Sequence, residues 1–251
     1  MKKTFHFLAG LPRSGSTVLA AILNQNPETH VSATSGLVDA LGSLVTIWGK
    51  TPVLNQNDPD NKKLVRIMRG IVNDFYDVPE PIIIDKSRSW AVALIIEIMS
   101  TVLERDLKII ATVRSIPDCA ASFVRVAKPE YLGEFIYSGL LIDSLKKSYI
   151  WLHDGYIAMP ECFLFVEYED LVANPEIELK RIHKFLGLNT FEYNFNSIEV
   201  HTVKENDDEL YGHAGLHDIK PKLEKQHNED PKDVLGDFYS SFSNPEFWRS
   251  Q

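Results

Sequence analysis

The 251-residue sequence has few cysteines, fewer basic than acidic side chains, and no long apolar run. Its two cysteines, Cys119 and Cys162, lie in separate apolar runs, which predicts buried free thiols in a reducing compartment rather than a disulfide framework. Lysine and arginine number 26 against 35 aspartates and glutamates, a net charge of −9. This deficit argues against a general nucleic-acid binder and against a polybasic membrane-surface protein.

The hydrophobic pattern of the sequence also predicts neither a membrane-spanning segment nor a secretory signal. No apolar run reaches the roughly 20 residues that a membrane span needs. His6 interrupts the apolar N-terminal stretch, which then runs into a Gly-Leu-Pro-Arg turn, so a first core strand explains it better than a signal peptide. We therefore expect a cytoplasmic protein without a membrane span.

Short apolar runs alternate with longer segments of helical periodicity along most of the chain. The pattern predicts strands at 4–9, 30–32, 81–85, 107–113 and 162–166. It predicts helices at 16–26, 37–48, 61–76, 90–103, 117–126 and 176–186, a mostly helical stretch at 131–158, and a loop at 50–60. This alternation indicates a single α/β domain with an open, mainly parallel sheet and helices on both faces, and the loop described next makes it one of the P-loop nucleotide-binding type. We expect residues 1–251 to form that domain, with an irregular flap at about 200–251 over the carboxyl edge of the sheet.

The first predicted strand leads into Gly10-Leu11-Pro12-Arg13-Ser14-Gly15-Ser16-Thr17 and then into an apolar helix. This is the spacing of the phosphate-binding loop, except that Ser16 occupies the position of its lysine. Glycines let backbone amides converge on an anion at the helix start, and Arg13 adds a fixed charge. In enzymes that use nucleoside triphosphates, the lysine at this position contacts the β- and γ-phosphates. The loop therefore favours a smaller anion that needs no metal over a triphosphate.

A second candidate anion site follows the fourth predicted strand. Arg114 stands at the carboxyl end of that strand, and Ser122 lies eight residues further along the next helix. Arg114 could simply pair with Asp118 at the helix start. Beside the first loop, however, Arg114 and Ser122 are typical of a second phosphate clamp.

Together these motifs resemble the sulfotransferases that use 3′-phosphoadenosine 5′-phosphosulfate (PAPS), with a Pro-Arg-Ser-Gly-Ser-Thr loop closer to the bacterial and Golgi-type branch. The resemblance also covers the segment 165–175 and the Phe-Leu-Gly-Leu at 185–188. It implies that the donor is held by Pro12, Arg13, Ser14, Gly15, Ser16 and Thr17 at the 5′-phosphosulfate, by Arg114 and Ser122 at the 3′-phosphate, and by Tyr168. It further implies release of adenosine 3′,5′-bisphosphate (PAP) without a required metal.

Two cations are candidates for stabilising the leaving phosphate oxygen. Arg13 lies in the loop, and Lys86 follows the strand at 81–85, where a comparable family lysine is catalytic. Lys86 could instead be a surface lysine. We interpret the preceding Asp85 as a partner that holds Lys86 or Arg88.

The general base is harder to find in the sequence. The family members that sulfate protein tyrosines carry a Glu after the second strand, where Thr34 stands here, so the pattern departs from that group. Asp39, early in the next helix, is the nearest substitute, although its position favours a solvated aspartate at a helix start over a base. Lys220, in a Gly/His/Lys-rich turn of the acidic C-terminal tail, is a candidate phosphate contact or else a solvated basic turn. No histidine or cysteine pattern has metal-ligand spacing, so we predict no metal site.

The sequence leaves two other functions open. One is a P-loop kinase using ATP and magnesium, because the strand at 81–85 ends in an aspartate as magnesium-binding strands do. The other is a catalytically silent relative that binds the nucleotide. If the chain is a sulfotransferase, its acceptor is a small-molecule, carbohydrate or peptide hydroxyl or amine, and the oligomeric state is open.

Overall fold

The computed structural model describes residues 3–199, 213–224 and 229–249. Five strands form one parallel sheet: β1 (Thr4–Gly10), β2 (Thr29–Thr34), β3 (Ile82–Lys86), β4 (Ile109–Val113) and β5 (Phe163–Glu167). Their spatial order is β2-β3-β1-β4-β5, so β1 is central, and its register pairs Leu8 with Lys86 on one side and with Ile110 on the other. The predicted parallel sheet is confirmed, with all four strand pairs parallel.

Helices cover both faces of the sheet. They are α1 (Ser16–Leu23), α2 (Leu37–Lys50), α3 (Pro52–Asn57), α4 (Lys62–Asp74), α5 (Ala93–Leu103), α6 (Ile116–Ala127), α7 (Leu132–Ser138), α8 (Leu140–Ala158), α9 (Tyr168–Ala173), α10 (Pro175–Leu186) and α11 (Pro231–Leu235). Alternation along the strands divides the apolar core into two clusters. Phe7 belongs to the cluster that includes residues of α2, α5, α6 and α8, whereas Leu8 belongs to the cluster with residues of α1 and α10.

Most predicted elements are shifted by only one or two residues at their ends, but three differ by more or change type. The predicted loop at 50–60 contains α3, because Pro52 supplies the preset backbone of a first helical turn after the extended Thr51. The predicted helix at 16–26 ends at Leu23, because the Asn24 side chain bonds both the amide and the carbonyl of Val31 and turns the chain into β2. The predicted helix at 90–103 begins with a separate 3-10 turn, Arg88–Ala91, before α5.

The long helical stretch predicted at 131–158 is two helices that meet at Gly139. This residue has an extended backbone, and a side-chain Cβ there would lie 2.3 Å from the carbonyl oxygen of Phe135. Glycine thus lets α8 start directly beside the last turn of α7.

Part of the predicted flap at about 200–251 lies outside the described residues. In the described part, Leu235, Phe242 and Trp248 are buried in the larger core cluster. This segment carries α11 and two 3-10 turns and packs against the domain, α11 lying on α6. The polar composition of this segment predicts an irregular structure, but its few apolar side chains hold it against the core of the domain. The division into one domain with a flap stays a prediction.

Candidate functional site

A cavity of about 580 Å³ opens beyond the carboxyl ends of the strands. Parallel α/β sheets bind ligands at this edge. The cavity is lined by the loop after β1, the end of β3, one side of α6, the start of α8, Tyr168, and residues 216–220 and 222–224. Most of the residues selected from the sequence therefore share one space, although they come from distant parts of the chain.

The loop after β1 needs glycine at two positions. Gly10 has φ +128°, and a Cβ there would lie 2.1 Å from the carbonyl oxygen of Thr112 on the neighbouring strand. Gly15 has φ +90°, and a Cβ there would lie 2.6 Å from the Tyr168 ring. Arg13 also adopts a left-handed backbone, with φ 65°. The loop curves tightly into α1, with Pro12, Arg13, Gly15, Ser16 and Thr17 lining the cavity.

Ser14 differs from the other loop residues. Its side chain is buried, and its hydroxyl lies 2.5 Å from the carbonyl oxygen of Leu11 and 2.9 Å from that of Thr112. It is not among the cavity-lining residues. The Ser14 hydroxyl, considered an anion donor from the sequence, instead ties the loop to β4.

One hydrogen bond joins the two anion sites that the sequence suggested. Arg13 Nε donates to Ser122 Oγ at 3.1 Å, and Arg13 Nη1 donates to the carbonyl oxygen of Leu216. Arg13 therefore connects the loop, α6 and the C-terminal segment that covers the cavity. The two sites form a single pocket rather than two separate ones.

Arg114 lines the same cavity but is surrounded by acids. Its Nε donates to Glu169 at 2.9 Å, its Nη2 lies 3.5 Å from Asp118, and its guanidinium lies 4.7 Å from the Tyr168 ring centroid. The Asp118 contact was one of the two sequence interpretations. Glu169 was missed, and its only sequence signal was its position directly after Tyr168.

Lys86 and Asp85 point to opposite faces of β3, as successive strand residues do. Lys86 is 8% exposed and lines the cavity, and its backbone amide donates to Ser32 Oγ. Asp85 is fully buried and accepts hydrogen bonds from Ser35 Oγ at 2.7 Å, from the Tyr76 hydroxyl at 2.6 Å and from Trp90 Nε1 at 2.7 Å.

The structure therefore corrects the role expected for Asp85. Its hydrogen-bond partners are three neutral donors, not Lys86 or Arg88, and it lies outside the cavity lining. Burial raises the pKa of the Asp85 carboxyl even though the three hydrogen bonds oppose that shift. Asp85 ties together the segments that follow β2, α4 and β3.

The structure does not bring Asp39 into this cavity. Asp39 is exposed on the first turn of α2, whereas Thr34, at the end of β2, lines the cavity. Three side chains that can accept a proton do line it: His217, Asp218 and Glu224. They lie in the C-terminal segment, where sequence reasoning considered only Lys220, which is 3.7 Å from Glu224.

Within residues 3–199, 213–224 and 229–249, no three His, Cys, Asp or Glu side chains are grouped to hold a metal ion. In the same ranges no helix is long and apolar enough to cross a membrane.

Comparison with known proteins identifies one matching family and several solved structures with a similar fold. The model of the sulfotransferase family matches residues 6–192. The sulfotransferase domain of the Synechococcus PCC 7002 olefin synthase is similar in structure, with TM-score 0.52 and 20% identity over 97% of this chain and 96% of that one. A sulfotransferase from Alicyclobacillus acidocaldarius gives TM-score 0.48 and 14% identity over 82% and 88% of the two chains. No curated protein sequence matches.

Proposed function

Because the chain belongs to the sulfotransferase family, we propose that it transfers a sulfuryl group from PAPS to a hydroxyl or amine of an acceptor. The observation that carries the proposal is the Arg13–Ser122 hydrogen bond, which makes the phosphate loop and the α6 clamp parts of one cavity. A nucleotide with phosphate groups on both its 5′ and 3′ positions needs two anion sites in one cavity. The product nucleotide is then PAP.

The lining residues fit such a donor by charge. Arg13, Lys86, Arg88, Arg114, Arg125, Lys220 and Lys222 line the cavity, against only Asp218 and Glu224. This excess of positive charge stands in a chain of net charge −9. A cleft of one sign focuses a ligand of the opposite sign.

When bound, PAPS supplies the sulfuryl group, whose bond to the 5′-phosphate oxygen breaks as the acceptor atom bonds to sulfur. The protein's part is positioning and charge stabilisation. Loop amides and Arg13 hold the 5′ end, and Arg114 and Ser122 hold the 3′-phosphate. Tyr168 borders the base, and Lys220 is a further phosphate contact.

Lys86 is the residue that we assign to the leaving oxygen. It stands at the carboxyl end of β3 beside the loop that follows β1, and it is largely shielded from solvent. In such a site an ammonium stabilises developing negative charge more strongly than it would in water. Asp39 lies outside the lining, so we draw the proton acceptor from His217, Asp218 and Glu224.

The structure argues against the kinase alternative. Asp85 would have to bind magnesium, but it is buried under three hydrogen-bond donors and lies outside the cavity lining. The loop also carries Ser16 in place of the lysine that contacts the triphosphate. A metal-free reaction is therefore part of the proposal.

Calorimetric titration with PAP and with ATP plus magnesium tests the donor. We expect tight binding of PAP, unchanged by EDTA, and weak binding of ATP. Preference for ATP would overturn the proposal. PAP release from PAPS in the presence of small alcohols, sugars and peptides then distinguishes an enzyme from a silent nucleotide-binding relative.

We further propose a cytoplasmic location. The supporting observation is that Cys119 and Cys162 are both free and buried. Cell fractionation with thiol labelling of the unfolded protein tests it, because a secreted pool would contradict the assignment.

A further inference from the structure

Arg125 has a side-chain nitrogen without a partner beside the cavity. Its Nη2 is buried and has no hydrogen-bond partner among the described residues. Its Nη1 makes one long contact, 3.4 Å, with the backbone carbonyl oxygen of Glu229. A guanidinium nitrogen shielded from solvent without an acceptor is unfavourable, so Arg125 gains from a side-chain arrangement in which an anion reaches that nitrogen.

The position of Arg125 on α6 places it with the residues of the 3′-phosphate clamp. Asp118, Ser122 and Arg125 are spaced by four and three residues, so they share one face of the helix. Ser122 on that face bonds Arg13, and Asp118 contacts Arg114. Burial, followed by the nearby Arg114 charge, lowers the pKa of Arg125. Arg125 itself lines the cavity.

The charge of the clamp requires another cation. Arg114 is in contact with both Glu169 and Asp118, so its single positive charge faces two negative ones. Arg13 brings the local group to neutrality only. A phosphate monoester carries close to two negative charges at neutral pH. The pair expected from the sequence, Arg114 and Ser122, is therefore too weakly positive to account for strong discrimination in favour of a 3′-phosphate.

We propose that Arg125 completes this clamp: its guanidinium turns further into the cavity that it lines and binds the 3′-phosphate of the nucleotide. The inference rests on the proposed function, because it takes the ligand to be PAPS or PAP. Arg125 then determines specificity, since it supplies the positive charge that Glu169 and Asp118 remove from Arg114. The phosphate in turn satisfies the nitrogen that the fold leaves without an acceptor.

The test compares PAP with adenosine 5′-monophosphate, which lacks only the 3′-phosphate, by calorimetric titration of the full chain. Replacing Arg125→Ala should lower PAP affinity about 10- to 100-fold, as loss of a charge-assisted hydrogen bond does. Affinity for adenosine 5′-monophosphate should change less than twofold. Arg125→Lys keeps the positive charge but lacks the two-pronged guanidinium, so its PAP affinity should lie between those of the wild type and of Arg125→Ala.

The matched control is Lys128→Asn, which removes a positive charge from the C-terminal end of α6 at a residue outside the cavity lining. This control should leave the affinities for PAP and for adenosine 5′-monophosphate unchanged. That result would show that the loss in Arg125→Ala is not caused merely by removing one positive charge from α6. Equal losses for PAP and adenosine 5′-monophosphate in Arg125→Ala would show a structural role and overturn the inference. Unchanged PAP affinity would also overturn it.

The wild-type titrations separate this inference from the proposed function. If wild-type protein does not prefer PAP over adenosine 5′-monophosphate, the proposed function itself fails. If it does, and Arg125→Ala keeps the full preference, only the role of Arg125 fails. Should Arg125→Ala not fold, Arg125→Gln and Arg125→Lys provide the same comparison.

Discussion

The Tyr168 ring lies between the two anion-binding segments of the cavity, with the Arg114 guanidinium 4.7 Å from its centroid. The same ring approaches Gly15 so closely that a Cβ there would lie 2.6 Å from it. One aromatic side chain thus contacts both the loop after β1 and Arg114, the two segments to which the proposed function assigns the phosphate groups of the nucleotide.

The first prediction concerns Arg114. Replacing Arg114→Ala should lower PAP affinity about 10- to 100-fold, because a charged donor to the 3′-phosphate is lost. Affinity for adenosine 5′-phosphosulfate, which has no 3′-phosphate, should scarcely change. Calorimetric titration with both nucleotides measures this difference, and equal loss for the two would contradict the assignment of Arg114.

A second prediction uses the acid that holds Arg114. Glu169→Gln removes a negative charge 2.9 Å from the Arg114 guanidinium. PAP affinity should rise about two- to fivefold, because a half-exposed carboxylate no longer competes with the phosphate. The gain should shrink as salt is added, since exposed charges are screened. A weaker affinity would mean that Glu169 is needed to orient Arg114.

The third prediction separates catalysis from binding at Lys86. Lys86→Ala should lower kcat about 100- to 1000-fold, because its contact strengthens in the transition state, while PAP affinity stays close to the wild-type value. Steady-state turnover of PAPS and PAP titration provide the two numbers. Lys62→Ala is the control, because Lys62 is exposed and outside the cavity lining. Unchanged kcat would remove Lys86 from the mechanism.

A fourth prediction concerns stability at low pH. Burial, with the nearby Arg105 and Lys108 charges, lowers the pKa of His6 from 6.5 to about 3, and neither ring nitrogen has a partner among the described residues. Below pH 6.5 the unfolded chain binds a proton that the folded chain does not. The free energy of unfolding should therefore fall by about 1.4 kcal/mol per pH unit from pH 6.5 towards pH 3.

Urea unfolding between pH 7 and pH 4 measures this slope. His6→Leu should remove this contribution, whereas His153→Gln, at an exposed imidazole, should keep it. Equal slopes for His6→Leu and wild type would show that other groups cause the acid sensitivity.

Local patterns in the sequence predicted the strands, the phosphate loop and the positions of Lys86 and Arg114. Because strand ends meet at one edge of a parallel sheet, the sequence alone predicts that these residues lie close together. The partners of Asp85 could not be predicted in this way, because Ser35, Tyr76 and Trp90 reach it from three separate segments. The same holds for Glu169 beside Arg114 and for the unpartnered nitrogen of Arg125. Such contacts depend on tertiary packing rather than on neighbouring residues.

The central place of β1 in the sheet has a consequence for biosynthesis. This strand ends at Gly10, but its two neighbours end only at Lys86 and Val113. At about 5–20 residues per second, the ribosome needs roughly 5–20 s to complete the second neighbour after β1 has been made. Until β3 has been made the apolar side chains of β1 have no sheet to join, and until β4 has been made they have a neighbouring strand on one side only. The earliest strand of this fold is therefore the one that depends most on protection during translation.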